Sequence, residues 1–175
     1  MMEEKNTAES LRHKLIPLSL ALDVIIVDQL TKWLTVTYIP LREIGAQFFG
    51  DLIRIIHVRN PGIAFSIGRD LSDIFRGFLF TLLPVAVIVV LAVYYIRSKE
   101  FTRFQRWTVA GIIGGGTGNL IDRIFRPDGV VDFIDVKFFG IFGLDRWPTF
   151  NIADSAVVVC ALLLAVSFLF QRKKA

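Results

Sequence analysis

The stretch Phe150-Asn151-Ile152-Ala153-Asp154-Ser155 opens an apolar run that continues to Phe170, and Asp154 is its one charged residue. A carboxylate inside a membrane-length helix costs roughly 2.5 to 3.5 kcal/mol when central and less near the interface, so its presence calls for a chemical reason. The nearest partner in sequence is Asp132, in Val130-Val131-Asp132-Phe133-Ile134-Asp135, just past the preceding apolar run. Its apolar neighbours clamp it, and Gly129 permits a turn before it. Two carboxylates about 3 Å apart in low dielectric do not both ionise; they share one proton. The ionised member can deprotonate a water as it attacks a carbonyl, while the protonated member hydrogen-bonds the carbonyl oxygen and later protonates the leaving amine. Asp132 and Asp154 are therefore the expected acid/base pair. Peptide hydrolysis by this route needs no metal, no cofactor and no serine or cysteine nucleophile.

Other polar residues fall at helical spacing around this pair. Asp28 and Lys32 are an i,i+4 pair on one face of the first apolar run. They fit a buried structural ion pair as well as a pair that holds a loop or substrate near the outer half. Asn119, Asp122 and Arg123 share a face near the end of the third run. There an unpaired amide would be costly, so a hydrogen-bond network is expected; Arg123 could equally reach toward the interface beside Asp122. Asn151 can cap the last helix or orient a carboxylate. Asn60 and Gly62 lie in Arg59-Asn60-Pro61-Gly62, which reads as a turn. His57 is expected as an exposed strand residue, the acidic residues near Asp132 as solvated, and Cys160 as packing. Asp23 has no evident partner.

The elements that must position these groups are apolar and long. In 175 residues, 54% are hydrophobic, and the mean hydropathy is +0.57. Four runs, at about 15–39, 75–96, 107–125 and 152–170, each match the ~20 residues that span a bilayer. The expected fold is an all-α integral membrane protein, one domain of four transmembrane helices. The first run is too long and too charged for a cleaved signal, so it is expected to stay as an anchor. Lys and Arg are densest at both ends and in the 97–106 loop, which puts the termini in the cytoplasm and segments 40–74 and 126–151 outside. A strand or hairpin is expected over 48–58. Pro84 should bend the second helix, provided neighbours satisfy the freed carbonyl. The glycines from Gly111 to Gly118 should let the third helix pack closely against a face of the fourth made by Asp154, Val158, Ala161 and Ala165. The net charge of +4 suits an anionic lipid surface and does not imply nucleic acid.

Five stretches, taken in order, resemble the motif blocks of the bacterial lipoprotein signal peptidases, or signal peptidase II: Asp28-Gln29-Leu30-Thr31-Lys32, Asn60-Pro61-Gly62-Ile63-Ala64-Phe65-Ser66, Gly118-Asn119-Leu120-Ile121-Asp122-Arg123, Val130-Val131-Asp132-Phe133-Ile134-Asp135 and Phe150-Asn151-Ile152-Ala153-Asp154-Ser155. The resemblance implies an aspartyl endopeptidase of the inner membrane with a small extracytoplasmic β-sheet cradle. Its partner would be a prolipoprotein, cut on the amino side of a diacylglyceryl-modified cysteine, and the enzyme would act as a monomer among membrane lipids. By match to the motifs, Asp132 and Asp154 would be catalytic. Asn119, Asp122, Arg123 and Asn151 would brace them, Asp28 and Lys32 would support them, and Asn60 and Gly62 would face substrate. Asp23 matches no block. Two other classes compete: a proton or ion carrier using Asp28, Asp122 and Asp154 as a relay, and a Mg²⁺-dependent lipid-head-group transferase using Asp122, Asp132 and Asp154. Chelation separates the latter from a protease.

Overall fold

The computed structural model describes residues 12–61 and 72–172. Gly62 and the rest of its motif block, through Ser66, lie outside the described residues. The elements run α1 (Leu18–Tyr38), β1 (Ile44–Phe48), β2 (Ile53–Asn60), α2 (Asp73–Gly77), a π-helical segment (Phe78–Leu82), α3 (Leu83–Arg97), α4 (Arg103–Phe125), β3 (Val130–Ile141), β4 (Leu144–Arg146) and α5 (Ile152–Arg172). Helices and one four-stranded antiparallel sheet, in the order β1-β2-β3-β4, make up the architecture. Among the described residues, two helices, Phe78–Arg97 and Ile152–Phe170, are long and apolar enough to cross a membrane. Charges on α1, and charges and glycines on α4, keep those two below the same mark.

Helix α4 is the axis of the molecule, because its glycines admit a neighbour on either side. A Cβ at Gly114 would lie 2.7 Å from Ala21 Cα, and one at Gly118 would lie 2.7 Å from Asp28 Oδ2. Gly115 meets Ala153 and Val157 in the same way, and Gly111 meets Cys160. On α1 the buried seam is Ala21, Asp28, Lys32 and Thr35, a 7-4-3 spacing that stays on one side of a helix. On α5 the seam is Ala153, Val157 and Cys160, rotated from the expected one; Val158, Ala161 and Ala165 are exposed. The expectation followed the small residues, whereas the contact follows whichever side chains fill the glycine notches.

The ends of α4 are fixed differently. At its start Thr102 and Gln105 form a reciprocal capping box, which satisfies free helix N–H groups. Arg106 donates to the carbonyls of Tyr95 (3.1 Å) and Ser98 (2.9 Å), which caps the C-terminus of α3. Tyr95 Oη donates to Lys14 O at 2.6 Å, and Lys14 Nζ to Ile96 O at 2.9 Å. Before Pro84, whose backbone has no donor, the chain takes a π-helical turn, with Leu83 N donating to Phe78 O.

The sheet is larger than expected. Residues 48–58 do form a hairpin, yet β2 continues through Arg59 and Asn60, which pair with Val131 and Val130. The supposed turn is therefore strand up to Asn60. Strand β3 occupies a segment expected to be a loop. His57 is buried rather than exposed, with Nδ1 2.8 Å from Ile39 O, because β2 lies across the end of α1. Asp135 is likewise buried, held by Arg146 Nε at 2.6 and 2.7 Å.

Candidate active site

Three attachments bring Asp132 and Asp154 together. Val131 N donates to Asp122 Oδ2 at 2.9 Å, which ties the start of β3 to α4. Ile134 and Phe150 exchange backbone hydrogen bonds of 2.8 and 3.1 Å, which stitches the residue before α5 onto β3 just beyond Asp132. Asn151 then begins α5. Its Oδ1 accepts from Asp154 N (2.9 Å), and Asp154 Oδ2 accepts from Asn151 N (3.2 Å). That is a capping box with aspartate as the returning acid, which keeps the Asp154 carboxylate on the first turn, where the helix dipole favours negative charge.

The Asn151 amide spans the pair. Its Nδ2 lies 2.7 Å from Asp132 Oδ1, 3.0 Å from Asn119 Oδ1 and 3.3 Å from Val131 O. Asn119 Nδ2 donates to Asp154 Oδ1 at 2.7 Å. Asn60 Nδ2 donates to Asp132 Oδ2 at 3.0 Å from β2. Behind the amides stands a fully buried ion cluster: Lys32 Nζ is 2.8 Å from Asp28, 3.2 Å from Asp122 and 2.9 Å from Asn119 Oδ1. Asp28 Oδ1 also accepts from Ala153 N at 2.9 Å, so α1 holds the N-terminus of α5 directly.

Asp28, Lys32, Asn60, Asn119, Asp122, Asp132, Asn151 and Asp154 thus form one connected network. Arg123 joins it through space: it interacts electrostatically with Asp154, Asp132 and Asp122, while the ion partners of Asp122 are Lys32 and Arg126. Arg123 borders two clefts. One, of about 240 Å³, is lined by Pro84, Val87, Ile88, Gly116 and Val157 and reaches Asp154. The other, of about 250 Å³, is bordered by Asn60, Phe80, Thr81 and Gly129. Asp23 is exposed on α1, away from the seam. Two members of the network escaped the sequence reading. Gln29 Nε2 donates to Gly118 O (3.0 Å) and Asp122 Oδ1 (3.0 Å), and Arg126 to Asp122 (2.9 Å). An amide beside Asp28 within an apolar run was the available signal for Gln29.

Burial is the main influence on Asp132 and lifts its carboxyl to about 7; the Asn60 amide opposes that rise, and the charge of Asp154 adds to it. A carboxyl that keeps its proton near neutrality beside a second carboxylate, with a cleft reaching Asp154 and another bordered by Asn60, the partner of Asp132, has the makings of an acid/base hydrolase in a helical membrane protein.

The comparisons point the same way. Residues 20–170 match the profile of the family described as signal peptidase (SPase) II, so the chain belongs to the signal peptidase II family. The lipoprotein signal peptidase of Treponema pallidum (strain Nichols) is 49% identical over 163 residues, covering 93% of this chain and 88% of the relative. That of Treponema denticola is 50% identical over 156 residues, covering 89% and 90%. A bacterial membrane enzyme solved by the in meso method at 2.3 Å superposes with a TM-score of 0.76 at 28% identity, over 91% of this chain and 90% of that one.

Proposed function

We propose that this signal peptidase II cuts prolipoproteins with Asp132 and Asp154, on the amino side of a diacylglyceryl-modified cysteine, at the outer face of the membrane. Asp154 takes a proton from a water whose oxygen attacks the scissile carbonyl carbon. Asp132 donates a hydrogen bond to the carbonyl oxygen as it gains negative charge. Collapse of the tetrahedral intermediate breaks the C–N bond, the amine leaves with a proton from the dyad, and the signal peptide keeps the new carboxylate. Arg123, at the mouth of both clefts, is suited to hold a substrate carbonyl, and Asn60 serves the substrate-facing side of Asp132. Gly62 belongs to that same segment by its motif. Asn119 and Asn151 orient the carboxylates, and Lys32 neutralises Asp28 and Asp122 behind them.

The observation that carries this reading is the Asn151 side chain, bonded at once to Asp132 and, through its own cap, to Asp154. Four helices cross the bilayer in this reading, with both termini in the cytoplasm. A lipidated cysteine and an apolar signal helix concentrate in the membrane, so a cleavage centre at the interface meets the bond without extracting it. The deciding experiment incubates the purified protein with a synthetic precursor, lipidated or not, and weighs the products. Cleavage before the cysteine of the lipidated form alone is expected. Equal cleavage of both forms would remove the lipid from the recognition, and no cleavage of either would remove the activity.

A further inference from the structure

Strand β3 does not end at the site; it runs nine residues beyond Asp132, to Ile141, and the β1–β2 and β3–β4 turns lie at that same far end of the sheet. Three Phe-Gly dipeptides occur there: Phe49-Gly50, Phe139-Gly140 and Phe142-Gly143. Both residues of each are left-handed, with φ of 54° and 73°, 56° and 78°, and 55° and 75°. Glycine adopts that conformation freely; a bulky aromatic residue rarely does. The three rings are nonetheless turned outward, at 82%, 69% and 90% exposure. Behind them Asp51 pairs with Lys137 (2.9 Å) and Arg54 (3.2 Å), and Lys137 Nζ sits 5.8 Å above the Phe139 ring. Trp147 and Phe142 flank the Phe138 ring at 5.0 and 6.5 Å.

The position of the sheet says what covers these rings. Ile55 and Phe133 share an apolar hollow with Thr31, Leu34 and Tyr38 of α1, and His57 is bonded to Ile39 O. The strands therefore leave the bundle beside the last turns of α1, whose Leu30, Leu34 and Tyr38 are exposed. Aromatic rings backed by paired charges at that level match the aromatic belt of a bilayer interface. Three such rings offer on the order of a few hundred Å², short of the ~1,000 Å² a stable protein interface needs.

We propose that the Phe49, Phe139 and Phe142 turns insert into the lipid interface of the outer leaflet and so hold the strand that carries Asp132 at a fixed height over the bilayer. The tip lies about 30 Å from the acid pair at ~3.3 Å per strand residue, so it levels the sheet without touching substrate chemistry. This inference rests on the membrane placement proposed above.

The test uses nitroxides on single cysteines, Phe142→Cys, Asp145→Cys and Leu163→Cys, each in a Cys160→Ala background and reconstituted in phosphatidylcholine vesicles; cleavage in micelles checks folding. Relaxation by oxygen and by a water-soluble nickel chelate is then compared. Positions 142 and 163 are expected to favour oxygen, and 145 to favour nickel. Nickel access at 142 with oxygen access at 163 would overturn the proposal and leave the membrane placement standing. Nickel access at 163 would overturn the placement itself. Shielding of 142 from both agents, or coupling between two labels, would mean a protein covers the tip, and the proposal fails. The paired change Phe139→Ser with Phe142→Ser should raise KM several-fold on vesicle-borne precursor with kcat unchanged, and Phe142→Trp should restore it; a loss of kcat alone would count against the levelling role.

Discussion

At the scale of single residues, the proposed mechanism depends on the proton of Asp132. Its carboxyl, lifted by burial to about 7, must stay protonated to donate to the carbonyl oxygen, so kcat/KM should fall as pH rises through about 7. The Asn60 amide stabilises the ionised form; Asn60→Ala should therefore raise the carboxyl further and move the alkaline limb up by about one unit, the worth of one charged hydrogen bond. A limb that stays put would free Asp132 from the acid role. Asp132→Asn or Asp154→Asn should each lower kcat by roughly 10²- to 10⁴-fold, with an unchanged circular dichroism spectrum; retained cleavage in either variant would exclude the dyad. Lys32 stands behind these groups, fully buried against two carboxylates. Lys32→Met leaves Asp28 without a cation and Asp122 with Arg126 alone, so thermal unfolding should register a loss of about 3 to 5 kcal/mol, part of it restored by adding Asp28→Asn. Asp28, Lys32, Asn119, Asp122 and Asp154 were legible because a charged or amide residue in an apolar run must be paired; Asn60 read as a turn residue and came only from the motif resemblance, and Gln29 and Arg126 were missed. What was not read was which cation serves which acid: Arg126, one helical turn beyond Asp122, stands just past the apolar run and pairs with it, whereas the adjacent Arg123 interacts with Asp132 and Asp154 as well.

At the scale of elements, the helices and the β1–β2 hairpin were legible, and the small sheet was implied by the motif resemblance, but the extent of β3 was not legible. Apolar length marks a helix locally, and α1, α3, α4 and α5 fall close to the runs that announce them. Strand β3 depends on β2, some seventy residues earlier, and on a stitch to Phe150; with four buried residues at its start, Val130 to Phe133, it lacks the alternation of a half-buried strand. The α5 seam was misjudged for a related reason. Small residues on a helix do not reveal which of them meet a partner, whereas the glycines of α4 do, since each marks a close approach. Gly114→Val places a Cβ against the Ala21 backbone, which has no flexible end to move, and should destabilise by roughly 1 to 3 kcal/mol. Gly77→Ala, in α2 with nothing within 4 Å, should be neutral or gain roughly 0.5 to 1 kcal/mol. Equal effects in a melting assay would deny that α4 is notched for its neighbours.

At the scale of the whole molecule, the proposed placement of the charged helices in lipid rests on their facing each other. Helix α1 turns Leu22, Ile26, Leu30 and Trp33 outward and keeps Asp28 and Lys32 against α4, so Asp23 is the one charged residue between Leu18 and Tyr38 that α1 leaves exposed. The polar groups gather at two levels. Lys14, Tyr95 and Arg106 form one; the dyad and its braces form the other, 13 residues along α4 from Arg106 to Asn119, or about 20 Å at 1.5 Å per residue. That span is most of a hydrocarbon core. Whether α4 crosses the bilayer is therefore the sharpest test of the placement, because α4 carries Arg103, Arg106, Asp122 and Arg123 and is the one helix between residues 99 and 145. In a Cys160→Ala background, Lys99→Cys should react with an impermeant maleimide only after the membrane is opened, and Asp145→Cys should react in intact spheroplasts. Labelling of both from one side would put the two ends of α4 in the same compartment, and the acid pair could not then stand at the outer face.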